Sequence, residues 1–365
     1  MWLNRDEKLL LTAGPAPISP AVQQILSQPM IYHRSAEFVQ IFNHLTANLK
    51  YLFQTKHEII ILTASGTGGM EATITNLFSS GESVLVVENG KFSERWSQIA
   101  ETFGLDVTRV KIPWGKSVTG DEIIDVIKAT PSLKAVFLTH CETSTGALTD
   151  LETIAPLIRE LTSALIIVDA ISSAAVLPLR MDQWGIDVIV TASQKGLGLP
   201  PGLSIVAFNK RVWRYIEQAD LPRYYFDFTR ARQALRMERG SAYTPAISLV
   251  KAADFVLNEI HQTGLERIWQ KRKKIATNFR EKVISSGLTI FPETPADSLT
   301  AIKIEFSQGA NHIITLLRDK YRIVVSKGQG QLSNKLIRIG HFVNVEAGQL
   351  ERFLEGLSGV LNHLN

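Results

Sequence analysis

Seven short strand-like runs recur between residues 59 and 208, most of them separated by segments with helical spacing. They span residues 59–63, 83–87, 105–112, 134–139, 164–169, 187–192 and 203–208. All but 105–112, which alternates, are almost unbroken Val, Ile, Leu, Phe and Ala. A strand covered on both faces loses the two-residue alternation of a half-exposed strand and reads as such a solid run. Helical patterns occupy 68–78, 92–104, 120–128 and 151–161. This succession predicts an α/β fold with a large, mostly parallel seven-stranded sheet covered by helices. Only a short Gly/Pro-rich link joins the last two runs. An antiparallel final strand needs no crossover helix and is expected there.

The flanks read differently. Residues 9–20 carry three prolines and a glycine and cannot be helical. Ser19 and Pro20 then open a helix to about residue 27, with Ser as cap and Pro at the first position, and a longer helix spans 36–53. After residue 208 one long helix is expected over 245–270 and a charged one over 269–285. A half-exposed strand over 299–306, a helix over 310–320, strands at 322–326 and 335–340 and a helix over 345–362 complete a smaller α+β unit. The boundary falls near residues 261–265, giving a large domain of 18–262 and a small C-terminal domain of 263–365.

The chain has 365 residues, 45% of them hydrophobic and 20% charged, which fits a globular protein larger than one small core. Its net charge of +4, from 39 basic and 35 acidic residues, is too slight to imply nucleic acid. The basic cluster at 271–274 sits in a helical pattern and reads as a solvated face. One cysteine, Cys141, excludes an intrachain disulfide framework and a Cys-rich metal site, so no metal is expected. The charged N-terminus lacks the apolar core of a signal peptide, and no apolar run reaches membrane-spanning length. A cytoplasmic protein, with no membrane partner, is expected.

Four places concentrate chemistry, mostly at strand ends. The sheet edge outside carboxyl ends is where ligands bind in open α/β sheets. Ser65, Gly66 and Thr67 open a glycine-rich turn between a strand and a helix, either an ordinary turn or an anion cradle of free N–H groups. Residues 139–146 gather hydroxyls, His140 and Cys141 at the next edge. A His–Cys nucleophile pair is disfavoured, because neighbours on a strand point to opposite faces. Asp169 and Lys195 follow two adjacent apolar strands and bring an acid and an amine to one edge. Such a lysine can be a Schiff-base nucleophile and such an aspartate can keep a pyridinium nitrogen protonated. Gln194 could bond a ring hydroxyl. Arg338, between two isoleucines on a late strand, can clamp a carboxylate through a bidentate pair.

These stretches, in this order and spacing, resemble the class V aminotransferases, and within them the alanine/serine–glyoxylate branch. The resemblance rests on residues 65–72, 142–146, 168–173, 193–196 with 200–202, and 337–340. It runs from Gly14 and the His33-Arg34-Ser35 stretch to the C-terminal domain. It implies the fold type I architecture of pyridoxal 5'-phosphate (PLP) enzymes. It also implies that Lys195 carries PLP as an internal aldimine and shuttles the proton, while Asp169 pairs with the pyridine nitrogen. Ser65, Gly66 and Thr67 would bind the phosphate with Gln194 close by. Ser144 would lie near the ring hydroxyl and Phe92 would stack on the ring. Arg338 would take the substrate carboxylate.

The N-terminal segment 1–17 would line the site. Relatives usually have Gly-Pro-Gly-Pro where this chain has Gly14-Pro15-Ala16-Pro17, so the methyl of Ala16 narrows a loop bordering the substrate. The family is dimeric with shared sites. Residues 240–245 match the segment that reaches the neighbouring subunit's phosphate; the Tyr and Thr of some relatives are not in the same register here, and Tyr243, Thr244 and Ser241 stand in their place. The reaction implied is ping-pong transfer from a small amino acid, serine or alanine, to a 2-oxo acid, glyoxylate or pyruvate. No second cationic residue dedicated to a distal acid is evident, which favours such small donors over glutamate. The alternatives are another class V activity, a lyase or desulfurase, or a non-catalytic subunit of a redox complex of the kind labelled soluble hydrogenase. A desulfurase needs a mobile cysteine late in the chain, and one cysteine cannot hold an iron–sulfur cluster.

Overall fold

The computed structural model describes residues 8–237 and 240–363. Residues 1–7, the start of the segment expected at the site, lie outside the described residues. In chain order the first part runs β1 (Leu9–Leu10), α1 (Pro20–Leu26), α2 (Ala36–Phe53), β2 (Glu58–Leu62), α3 (Gly66–Leu77), β3 (Ser83–Glu88), α4 (Ser93–Thr102) and β4 (Asp106–Lys111). It continues through α5 (Gly120–Ala129), β5 (Ala135–Thr139), β6 (Cys141–Glu142), β7 (Ala147–Leu148), α6 (Leu151–Leu161), β8 (Leu165–Asp169), β9 (Val188–Ala192) and β10 (Ser204–Phe208). The caps are those read from the residues: Ser19 Oγ accepts from Val22 N, and Ser35 Oγ accepts from Phe38 N.

Seven strands form the main sheet in the order β2-β10-β9-β8-β5-β3-β4. β10 is antiparallel to both its neighbours and all other pairs are parallel. Val136, Leu138, Ile166 and Val168 point to one face, into a core shared with α2. Phe137 and Ile167 point to the other, against Phe78 and Trp96. Two buried faces explain the solid apolar runs. β4 lies outside β3 while β5 lies on its other side, so the strand order reverses between β3 and β5. Such a reversal opens a crevice at the carboxyl edge.

Two short helices, α7 (Trp213–Gln218) and α8 (Phe228–Arg236), follow and have no counterpart in the sequence reading. The helices expected over 245–270 and 269–285 are α9 (Ile247–Thr263) and α10 (Leu265–Ser285), with the break several residues earlier than expected. Gly264, with φ +84°, breaks them apart in a conformation other residues rarely adopt. Then come β11 (Thr289–Ile290), β12 (Leu299–Lys303), α11 (Gly309–Tyr321), β13 (Ile323–Val324), β14 (Ser326–Lys327), β15 (Leu336–Gly340) and α12 (Ala347–Leu361).

The second sheet, β11-β12-β15-β14, is antiparallel. β12 is not half-exposed as expected. Ile302 packs with Ile337 and Ile339 in the small-domain core, and Leu299 and Ala301 are buried on the other face. The strand expected at 322–326 is also divided. β13 pairs in parallel with β1, and β14 joins β15.

Candidate active site

The carboxyl ends of β5, β8 and β9 deliver Thr139, Asp169 and the turn after Ala192 to one edge. Lys195 stands in that turn and is buried. Its Nζ donates to Ala13 O. The same Nζ lies 5.8 Å from the centre of the Phe92 ring and 5.7 Å from that of Phe342. Gly14 covers it: a Cβ there would come within 2.4 Å of Lys195 Cε and Nζ, and φ of +113° also favours glycine. Burial and the nearby Arg338 charge push the Lys195 amine down to about 8.

Asp169 is buried too, and burial pushes its carboxyl up to about 7, against the hydrogen bond that Oδ1 accepts from Ile171 N at 2.7 Å. Ile171 in turn sits on Gly66, where a Cβ would meet Ile171 Cδ1 at 2.4 Å. This contact brings the turn at the start of α3 beside Asp169. Ser65 precedes α3 and its side chain makes no capping bond. The first N–H groups of a helix have no partner within it and face outward from its start. Thr67 Oγ1 accepts from Arg95 Nη1 at 3.2 Å, and the Arg95 guanidinium lies 5.0 Å from the Phe92 ring. Arg95 is a cation beside the site that the sequence reading did not include. Phe342 is another unforeseen neighbour.

Arg338 on β15 is buried, not a surface arginine. Its Nε donates to Lys327 O at 2.9 Å and its Nη1 to Thr143 O at 2.7 Å. Burial lowers it to about 10. Among the described residues no carboxylate lies within ion-pair distance of Arg338 or Lys195. Ser144 Oγ donates to Glu142 at 2.6 Å and accepts from Lys91 N at 3.0 Å. Gln194 O accepts from Ala16 N at 2.8 Å, whereas its side-chain Oε1 is buried without a partner, as is Thr139 Oγ1. Ala16 packs its methyl against Val176 and Phe342.

Within the chain Tyr243 and Thr244 are not brought to Lys195. They line a cavity of about 40 Å³ with Ile61, Thr63 and Ser241, and the Tyr243 hydroxyl donates to Tyr224 O at 3.2 Å. The His140–Cys141 pair is inert. Burial holds His140 down to about 3 and pushes the Cys141 thiol up to about 12.

A lysine and an aspartate at the carboxyl edge of this sheet, with a free helix start beside them, are the residues a PLP-dependent enzyme needs. A family model described as Aminotransferase class-V matches residues 18–349, and the chain belongs to that family. It is 36% identical to L-aspartate–glyoxylate aminotransferase of Paracoccus denitrificans, over 90% of this chain and 84% of that one. It is 35% identical to the soluble hydrogenase small subunit of a Synechococcus species, over 99% and 94%. The crystal structure of alanine–glyoxylate aminotransferase from a Nostoc species superposes with a TM-score of 0.93 at 29% identity, covering 99% of this chain and 97% of that one.

The residues fit the family's cofactor. Burial shifts both Asp169 and Lys195 toward their neutral forms, a cost that a cationic ring nitrogen and a covalent carbonyl partner relieve. The unpartnered Gln194 Oε1 and Thr139 Oγ1 lie at the same edge.

Proposed function

We propose that this transaminase moves an amino group from serine or alanine to glyoxylate or pyruvate by ping-pong half-reactions. When bound, PLP supplies the electron sink for negative charge at the substrate α-carbon. Lys195 Nζ holds the cofactor covalently between turnovers. With its pKa lowered to about 8, a useful fraction of that amine is neutral near neutral pH and can take the α-proton once released. Asp169 keeps a proton on the pyridine nitrogen. Phe92 supports one face of the ring. Ser65, Gly66 and Thr67 hold the phosphate, with Gln194 and Ser144 near the polar edge of the ring. Arg338 binds the substrate carboxylate, and Gly14 and Ala16 border the substrate.

The observation that carries this reading is the arrangement of buried Lys195 beside Asp169 and of Arg338 without a carboxylate. Relatives named for glyoxylate support the acceptor. The relative named for L-aspartate favours a second donor reading, aspartate. Arg95, the added cation, is engaged by Thr67 and Phe92 and does not decide between them. We further propose domains of 18–262 and 263–365, a cytoplasmic location, and a homodimer in which Tyr243 and Thr244 serve the partner's phosphate. Among the described residues no helix is long and apolar enough to cross a membrane.

Borohydride reduction of the holoprotein followed by peptide mapping tests the assignment. Modification of Lys195, and a colourless Lys195→Ala variant, are expected; an unmodified Lys195 refutes it. Loss of the yellow band on adding each amino acid, with recovery by glyoxylate, pyruvate or 2-oxoglutarate, identifies the substrates. Aspartate discharging the band faster than serine and alanine would replace the first donor reading by the second.

A further inference from the structure

Glu142 is completely buried at the crevice between β3 and β5, and among the described residues it has no ion-pair partner. A carboxylate in that position is costly unless hydrogen bonds satisfy it. Those bonds are present, and they converge from the loop that carries Phe92. Glu142 Oε2 accepts from Ser93 N at 2.8 Å and from Phe92 N at 3.1 Å. Oε1 accepts from Ser144 N at 3.0 Å and from Ser144 Oγ at 2.6 Å. Ser144 Oγ takes the next amide, Lys91 N, and Ser93 Oγ takes Asn89 N and Gly90 N at 2.9 and 3.0 Å. Every backbone N–H from residue 89 to 93 thus has its acceptor in one small network. The loop is shaped around the carboxyl group: a Cβ on Gly90 would lie 2.4 Å from Glu142 Cγ and Cδ. The start of α4, where Phe92 is the cap, also favours a negative charge.

We propose that Glu142 is a positioning residue for amino transfer: its carboxylate ties the β3–α4 loop to the β5 edge and so fixes the Phe92 ring as the platform beside Lys195. The inference rests on the assignment of Lys195 and Phe92 above. Its acceptors face N–H donors on both oxygens, so glutamine in either orientation sets an amide N–H against a backbone N–H. The charge also bears on the groups around it. It raises Lys195 and Arg338, which favours their charged forms, and it raises Asp169 and Cys141, which favours their neutral forms.

The test uses E142Q, G90A, F92L and the E142Q/F92L double variant, each stripped and titrated with PLP. The readouts are the dissociation constant and the circular dichroism induced in the bound cofactor band. E142Q and G90A are each expected to weaken PLP binding about tenfold or more and to remove most of the induced signal. In the F92L background E142Q is expected to add less than about twofold, since both changes act on one platform. Affinity within about twofold of wild type, or an effect that multiplies in full on F92L, overturns the proposal. Should E142Q not fold, G90A decides, because it keeps the carboxylate and displaces it; an unchanged induced signal in G90A is then the refuting result. Borohydride labelling of wild type separates the two levels. An unlabelled Lys195 removes the site assignment itself, whereas labelled wild type with unaffected variants removes only the role of Glu142.

Discussion

Lys195 Nζ sits between the rings of Phe92 and Phe342 with a backbone carbonyl as its hydrogen-bond acceptor. Desolvation disfavours its ammonium form, and Arg338 adds repulsion. Deprotonation is the step that makes it a nucleophile, so the covalent capture of PLP by apoprotein should accelerate with pH through a midpoint near 8. An ordinary lysine would give a midpoint near 10.5. Stopped-flow absorbance across pH 6–10 measures this; a midpoint at the ordinary value would contradict the burial argument. Asp169, Lys195 and Arg338 were legible because a charged residue closing or interrupting an apolar strand is conspicuous. Arg95 and Phe342 were not, since each lies on an amphipathic or irregular stretch with an equally good reading as surface or core. Their nearness to the site arises from contacts that no local pattern encodes.

The long helical pattern after residue 245 shows the limit of periodicity. Apolar positions continue past residue 264, so the first helix is expected to run to about 270, whereas the chain turns at Gly264, which adopts φ +84°. Gly264→Ala should destabilise the protein by about 1–3 kcal/mol, the usual range for a strained backbone position. No neighbouring atom lies within 4 Å of the added Cβ, so steric crowding adds nothing. The midpoint of urea unfolding measures it, and an unchanged midpoint would show that the turn tolerates a side chain. α8 escaped detection for the opposite reason. Its sequence is rich in arginine, only Phe228 and Ala234 are buried, and it is held by Asp227 at its cap and by Arg232, which bonds Glu58 and lies over Trp213. Its apolar stripe, Phe228, Ala231 and Leu235, is short and interrupted by arginines, so it is easily passed over in the sequence.

At the scale of the whole molecule, the N-terminal segment links the small sheet to the site. β1 pairs with β13, Leu11 is buried in the small-domain core, and the next residues supply Ala13 O to Lys195 and Ala16 N to Gln194. Leu11→Ala should cost about 2–5 kcal/mol, as large-to-small core substitutions do. It should also weaken PLP retention although it touches no proposed cofactor residue. Thermal melting and cofactor titration of the same variant check both parts; weakened stability with unchanged retention would uncouple the segment from the site. The seven-stranded sheet, its antiparallel β10 and the strand-end acid and amine were determined by the sequence alone, because burial on two faces and short links leave few ways to arrange such runs. Only the tertiary structure decided that Gly14 covers Lys195, that Arg338 on a distant strand meets Thr143, and that Glu142 holds the loop of Phe92. Those relations depend on how separate units pack, and packing joins residues that share no periodicity.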